Sequence, residues 1–135
     1  MSNKDQDPRK VNPDFPIYKG KNACKIYKDL SDKVIVITGS SNGVGKSTAR
    51  LLAFMGATII FACRDEAKTL PVIQEIHQET KNNKLEFIRL DLSDLQSVRS
   101  FAKEFNSRHQ KLDILINNAG INMPDRRETK DGFEL

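Results

Sequence analysis

Residues 34 to 45 read Val-Ile-Val-Ile-Thr-Gly-Ser-Ser-Asn-Gly-Val-Gly, an apolar run that enters a glycine-spaced turn. The four β-branched residues Val34 to Ile37 suit a parallel strand covered on both faces. The turn that follows brings backbone amides toward one point, which is what binding an anion requires. Gly39 permits a sharp exit from the strand, Gly43 lets the main chain approach a pyrophosphate with no Cβ in the way, and Gly45 lets the next helix pack closely. The spacing is Gly-x-x-x-Gly-x-Gly, which differs from the common Gly-x-Gly-x-x-Gly dinucleotide fingerprint. Taken alone, such a turn is also compatible with a plain tight connection.

Gly45-Lys46-Ser47 matches the end of a P-loop, whose lysine and hydroxyl serve phosphates and magnesium. That motif needs a glycine where this chain has Ser40, so a P-loop-like nucleotide binder is only a remote alternative. On this reading Lys46 is an ordinary exposed residue of the first helical turn.

Downstream, strand and helix patterns alternate. Gly45 to Phe54 reads as a helix with Ala49, Leu52 and Ala53 inward, ended by Gly56 as a left-handed cap. Thr58 to Cys63 is a second apolar strand, and Asp65 to Thr80 is helical with Val72, Ile73 and Ile76 on one face. Pro71 within it predicts a helix start or a kink. Glu86 to Leu90 reads as a third strand. Ser93 and Gln96 form a capping-box pair opening a third helix, with Val98, Phe101, Ala102 and Phe105 as its core stripe. Asp113 to Asn117 is a fourth strand. The fold class is α/β: βαβαβαβ units with right-handed crossovers give a Rossmann-type doubly wound parallel sheet in the order 3-2-1-4. The first two helices then cover one face and the third the other, and the fourth strand is an apolar edge where a protein partner is expected.

These residues resemble the short-chain dehydrogenase/reductase family, and within it the branch of retinol dehydrogenases and WW-domain oxidoreductases. Four signals carry the resemblance in order: Thr38-Gly39-Ser40-Ser41-Asn42-Gly43-Val44-Gly45, Ala62-Cys63-Arg64, Asp91-Leu92 and Asn117-Asn118-Ala119-Gly120. Thr129-Lys130-Asp131-Gly132-Phe133-Glu134 is similar to that branch's segment before its next helix. The resemblance implies a nicotinamide dinucleotide held by Gly39, Ser41, Asn42, Gly43, Val44, Gly45, Arg64, Asp91, Leu92, Asn118, Ala119 and Gly120, with Asn117 bracing the sheet and no metal. Arg64 at the tip of the second strand, a fixed cation with a planar fork of donors, favours NADP(H) through the 2′-phosphate. Asp65 is the competing acceptor for a ribose 2′-hydroxyl and would favour NAD(H), although the family's NAD-selecting acid sits where this chain has Cys63. Arg64 is otherwise a solvated residue or a partner of Asp65. Asp91 is placed to accept from the adenine amino group, or simply to start the turn into Ser93, and both can hold together.

The 135 residues allow one domain with a tail, residues 1–31 as a polar basic leader and residues 32–135 as the N-terminal half of a Rossmann dinucleotide-binding domain. Residues 1–33 carry eight basic and five acidic side chains, +3 of the net +4, so the remainder contributes +1. Lys19, Lys21, Lys25 and Lys28 are interrupted rather than striped, so no nucleic-acid partner is expected. Pro8, Pro13 and Pro16 with Phe15, Ile17 and Tyr18 suggest a leader extended over the domain surface. No long apolar run occurs, so neither a membrane span nor a secretory signal is expected, and the cytoplasm is the default location. Cys24 and Cys63 make no metal or disulfide pattern, and His77 and His109 read as surface residues.

Relatives of this type reduce carbonyls or oxidise alcohols with a serine and a Tyr-x-x-x-Lys pair. Here the only tyrosines are Tyr18 and Tyr27, with Asn22 and Ser31 four places on. The expectation is therefore the cofactor-binding half of an NADP(H)-dependent oxidoreductase, truncated before its catalytic residues. The alternative is a noncatalytic nucleotide-binding subunit or interaction protein.

Overall fold

The computed structural model describes residues 27–135. Its elements are β1 (Val34–Thr38), α1 (Gly43–Phe54), β2 (Thr58–Cys63), α2 (Glu66–Thr80), β3 (Leu85–Arg89), α3 (Leu95–Arg108) and β4 (Ile114–Ile116). The strands form one parallel sheet in the order β3-β2-β1-β4. This is the expected doubly wound arrangement.

Strand alternation divides the core in two. Ile35, Ile37, Ile59 and Phe61 point to one face, where they meet Ala49 and Ala53 of α1 and Val72 and Ile76 of α2. Val36, Ile60, Ala62 and Ile88 point to the other, under Phe105 with Val98 and Phe101 of α3. Both faces of β1 and β2 are thus sealed, which is why these strands tolerate unbroken apolar runs. Leu30, assigned by sequence to the leader, is buried, and its N–H donates to Met55 O at 2.8 Å. The rest of the leader reading, including Tyr18 and Cys24, lies outside the described residues.

Some local expectations are corrected. The helix through Pro71 begins at Glu66, so Pro71 is not its start. The carbonyl that a residue-71 amide would bond is that of Ala67, which is exposed, so water can take the place of the missing donor. The N-cap of α3 is Asp94, not Ser93: its carboxylate accepts from Gln96 N–H at 2.8 Å, and Ser93 turns instead to Asp91. Ala102 is exposed, because α3 needs only Val98, Phe101 and Phe105 to cover the sheet beneath it. His109 is half-buried rather than superficial, stacked on Phe105 and 3.2 Å from Glu86 Oε2. Lys46 is not a free surface residue, since its Nζ pairs with Glu75 at 2.6 Å.

That pair belongs to a clamp between α1 and α2. Glu75 also receives Arg50 at 2.7 Å, and Arg50 Nε lies 2.8 Å from Glu79 with an N–H direction that misses it, an ion pair without a hydrogen bond. The two cations hold the Glu75 carboxyl below its ordinary range, the Lys46 bond contributing most. At the far ends, buried Asn82 donates to Ala53 O and Ala57 O and accepts from Lys84 N–H, pinning the α2–β3 connection to α1 and β2.

Candidate functional site

All three connections that leave the carboxyl ends of β1, β2 and β3 converge on one cleft of about 780 Å³. Gly39, Ser41, Asn42, Gly43, Val44, Gly45, Arg64, Asp91, Leu92, Asn118, Ala119 and Gly120 all line it, so the twelve residues singled out by sequence are brought together. Asn117 is exposed and does not line the cleft.

The β1–α1 turn is shaped by its glycines. Gly39 takes φ +62°, and a Cβ there would stand 2.8 Å from Ala119 Cα. Gly43, at φ +54°, has no protein atom within 4 Å of its Cβ direction: the space on that side is left open. At Gly45 a Cβ would meet Asn118 Nδ2 at 2.5 Å and Gly39 O at 2.7 Å, so only glycine lets α1 start this close to the turn.

The three helices begin differently. Asp65 caps α2 by accepting from Lys68 N–H at 3.1 Å, and Asp94 caps α3. The N-cap of α1, Asn42, makes no side-chain cap bond, and its first turn holds no acid. The leading amides of α1 therefore face the cleft without an internal acceptor, at the positive end of the helix dipole. Such a start accommodates a phosphate, and the empty space at Gly43 allows its close approach. The residues present thus fit a dinucleotide.

Asn118 holds the opposite lip. Its Nδ2 donates to Thr38 O at 3.0 Å and Gly39 O at 3.1 Å. Thr38 Oγ1 accepts in turn from Asn118 N–H and Ala119 N–H. The bracing that the resemblance gave to Asn117 is thus performed by Asn118, which also lines the cleft. Beneath the turn, fully buried Ser40 donates to Ile37 O and lies 3.5 Å from Cys63 Sγ. Cys63 is buried and free.

Asp91 Oδ1 accepts from Ser93 Oγ at 2.6 Å and Ser93 N–H at 3.0 Å. These bonds, with the nearby Arg64 charge, hold its carboxyl below the ordinary range. Asp91 thus does form the turn into α3, and it presents a carboxylate to the cleft. Arg64 is exposed at the rim and has no ion pair among the described residues, so of the alternatives for it the pairing with Asp65 does not form.

The outer wall was not singled out by sequence as part of the site. Thr129, Asp131, Phe133 and Glu134 line the cleft from a compact turn closed by Thr129 N–H to Phe133 O at 2.7 Å. Asp131 accepts from Leu95 N–H at 2.8 Å, and Lys130 pairs with Asp94 at 2.7 Å, docking the turn on the start of α3. The hydrogen-bonded pair lowers the Asp94 carboxyl and raises the Lys130 ammonium. The only signal in sequence was the Thr129–Glu134 resemblance itself, which says nothing of this contact.

The sequence profile of short chain dehydrogenases matches residues 33–133. The chain belongs to the short-chain dehydrogenase family. Mouse retinol dehydrogenase 12 is 47% identical over 111 residues, covering 82% of this chain and 35% of that protein. A protein from Mycobacterium paratuberculosis, of solved structure, is 40% identical with a TM-score of 0.69, covering 80% of this chain and 37% of its own. A short-chain dehydrogenase from Escherichia coli CFT073, solved with NADPH, is 32% identical with a TM-score of 0.64, covering 69% of this chain and 40% of that one. The chain spans about a third of the length of the curated relatives it matches. As a short-chain dehydrogenase sequence, it supplies the β1–α1 turn and the walls of the cleft around it. Among the described residues no helix is long and apolar enough to cross a membrane, and no cluster of ligating side chains suits a metal.

Proposed function

We propose that this chain provides the NADP(H)-binding half of an oxidoreductase that interconverts a carbonyl and an alcohol. The observation that carries the cofactor choice is the contrast between Arg64 and Asp65. Asp65 spends its carboxylate on the first turn of α2, whereas Arg64, at the rim of the cleft, has no ion pair among the described residues. A cation there suits a 2′-phosphate, and a committed acid is poorly available to a ribose hydroxyl. The NADPH-bound relative from Escherichia coli supports the same choice. Lys46, which a P-loop would require at its phosphates, is instead tied to Glu75.

When bound, the nicotinamide donates or accepts a hydride. The residues in hand prepare for that step by binding. The first amides of α1 would hold the pyrophosphate, Arg64 would take the 2′-phosphate and Asp91 would receive the adenine side, while Asn118 and Ala119 hold the lip nearest β4. The proton that balances the hydride has no donor of the Tyr-x-x-x-Lys kind in these 135 residues. In this reading it comes from outside them.

Titration with NADPH and NADH tests the reading. Wild-type protein should prefer NADPH, and Arg64→Ala should weaken NADPH about tenfold or more while leaving NADH nearly unchanged, as expected for a charge-assisted phosphate contact. Equal wild-type affinities would end the phosphate argument. A second reading, a noncatalytic nucleotide-binding subunit, draws on the apolar edge at β4, where Leu115 is 51% exposed. It requires a protein partner that covers that edge, and a monomeric enzyme with full turnover would sink it.

A further inference from the structure

β2 and β3 stay in parallel register to their last residues. Cys63 lies opposite Arg89, and Leu90 N–H donates to Cys63 O at 2.9 Å. Arg64 follows Cys63 directly, so it stands one residue beyond the position opposite Arg89, at the carboxyl end of the adjacent strand. Alternation along β3 fixes which way the second one leaves the sheet. Leu85 and Phe87 pack with the α1 and α2 core, whereas Ile88 packs with α3. Arg89 therefore shares the α2 side with Leu85 and Phe87. There it lines a shallow concavity with Arg64 and with Asp65, Glu66, Ala67 and Leu70 at the start of α2. Arg64 and Asp65 also line the main cleft, so the two depressions adjoin at that point.

The Arg64 and Arg89 guanidinium groups in this corner are not held by ion pairs among the described residues, and both are exposed. The Asp65 carboxylate is bonded to Lys68 N–H and lies 3.8 Å from Lys68 Nζ. Asp65 and Glu66 are the acids on the concavity wall, and the Asp91 carboxylate lies near Arg64 on the main-cleft side. Neighbouring like charges on a sheet edge repel, and a dianion between them removes that cost.

We propose that Arg89 is a second cation of the cofactor's phosphate subsite, acting with Arg64 on the monoester phosphate that distinguishes NADP(H) from NAD(H). This rests on the dinucleotide reading above and adds a specificity-determining residue to it. A phosphate monoester carries close to two negative charges at neutral pH and has three acceptor oxygens, enough for two guanidinium forks. The strand register fixes Arg89 opposite Cys63, the residue before Arg64, so the backbone needs little ordering when the anion arrives.

The test measures the affinities of NADPH, NADH, 2′,5′-ADP and 5′-AMP for wild type, Arg64→Ala, Arg89→Ala and Arg89→Lys, with thermal melts of each. Arg89→Ala should weaken NADPH and 2′,5′-ADP about five- to tenfold, leave NADH and 5′-AMP within about twofold, and keep the wild-type melt. Arg89→Lys should recover part of the loss, since it restores the charge but not the fork. If Arg64→Ala lowers the NADPH preference and Arg89→Ala does not, the role of Arg89 is refuted while the dinucleotide reading stands. Equal losses for phosphorylated and unphosphorylated ligands, with a lowered melt, would make Arg89 structural and also overturn the proposal. No preference for NADPH in wild type, and no effect of Arg64→Ala, would remove both.

Discussion

A methyl group added at Gly45 has nowhere to go. Two of its three nearest neighbours are backbone atoms, Gly39 O at 2.7 Å and Ser40 Cα at 2.9 Å, and the third, Asn118 Nδ2, is fixed by two carbonyls. Gly45→Ala should therefore cost about 1–3 kcal/mol in urea unfolding, the usual range for overpacking, and should also displace the Asn118 lip and weaken dinucleotide binding. Gly120→Ala is the matched control, because no atom lies within 4 Å of its Cβ direction, and its stability should stay near wild type. The need for glycine at 39, 43 and 45 was legible from spacing, since each position demands either an unusual φ or a close approach. The choice between Asn117 and Asn118 was not. Two identical side chains leave β4 in succession, and only the register of β4 on β1, which pairs Ile116 with Ile37, decides which one reaches Thr38. Residue type carries no information about that register.

Helix starts show the same division one level up. The sequence Ser93-Asp94 offers two good N-caps in a row, and the apolar stripe of α3 fits either. What selects Asp94 is the demand of Asp91 for the Ser93 hydroxyl and the arrival of Lys130 at the Asp94 carboxylate. The second of these comes from a turn some thirty residues later and is invisible to local pattern. α2 poses the opposite case, a helix that forms despite its sequence. Pro71 sits in the sixth helical position with its ring exposed, and the amphipathic face through Val72 and Ile76 outweighs the lost bond. Pro71→Ala should restore a donor to Ala67 O and raise stability by about 1–2 kcal/mol. That is less than the full interior penalty of about 3 kcal/mol, because Ala67 and Pro71 lie on the exposed side of α2 and proline also restricts the unfolded chain. A lower denaturation midpoint for the alanine variant would show that the proline is set into α2 by packing rather than tolerated there.

For the molecule as a whole, strand order and the assignment of helices to faces were readable because connection handedness leaves few choices once four strands and three helices are in place. The electrostatic ties that hold those layers in register were not, since they join residues distant in sequence. One face remains thin at β4, where Ile114 is 40% and Leu115 51% exposed. Leu115→Lys should suppress self-association in light scattering at little cost in stability, because a charge on an exposed edge strand blocks edge pairing. Stability against pH follows from the carboxylates. Glu75, Asp91, Asp94 and Asp113 are all held below their ordinary range, Asp113 chiefly by the Val34 N–H that donates to it at 2.8 Å and further by Lys111. A depressed folded-state pKa means that, just below the ordinary carboxylate value of about 4, the unfolded chain binds more protons than the folded one. Stability is therefore fully present above that value and is lost as pH falls through the lower folded values. Lys130 runs the other way: raised by Asp94, it contributes below its ordinary value of about 10.4 and loses that contribution as pH rises through the higher folded value. Urea midpoints should consequently be flat between about pH 6 and 8 and fall steeply below about pH 4. Asp113→Asn keeps an acceptor for Val34 but removes the charge facing Lys111. Its stability should lie below wild type at pH 7 and converge on it as pH falls through the lowered folded-state value, below which Asp113 is protonated in both states. Parallel curves across that interval would mean that the β1–β4 junction draws on the hydrogen bond alone, and that its ion pair, exposed and screened, contributes nothing.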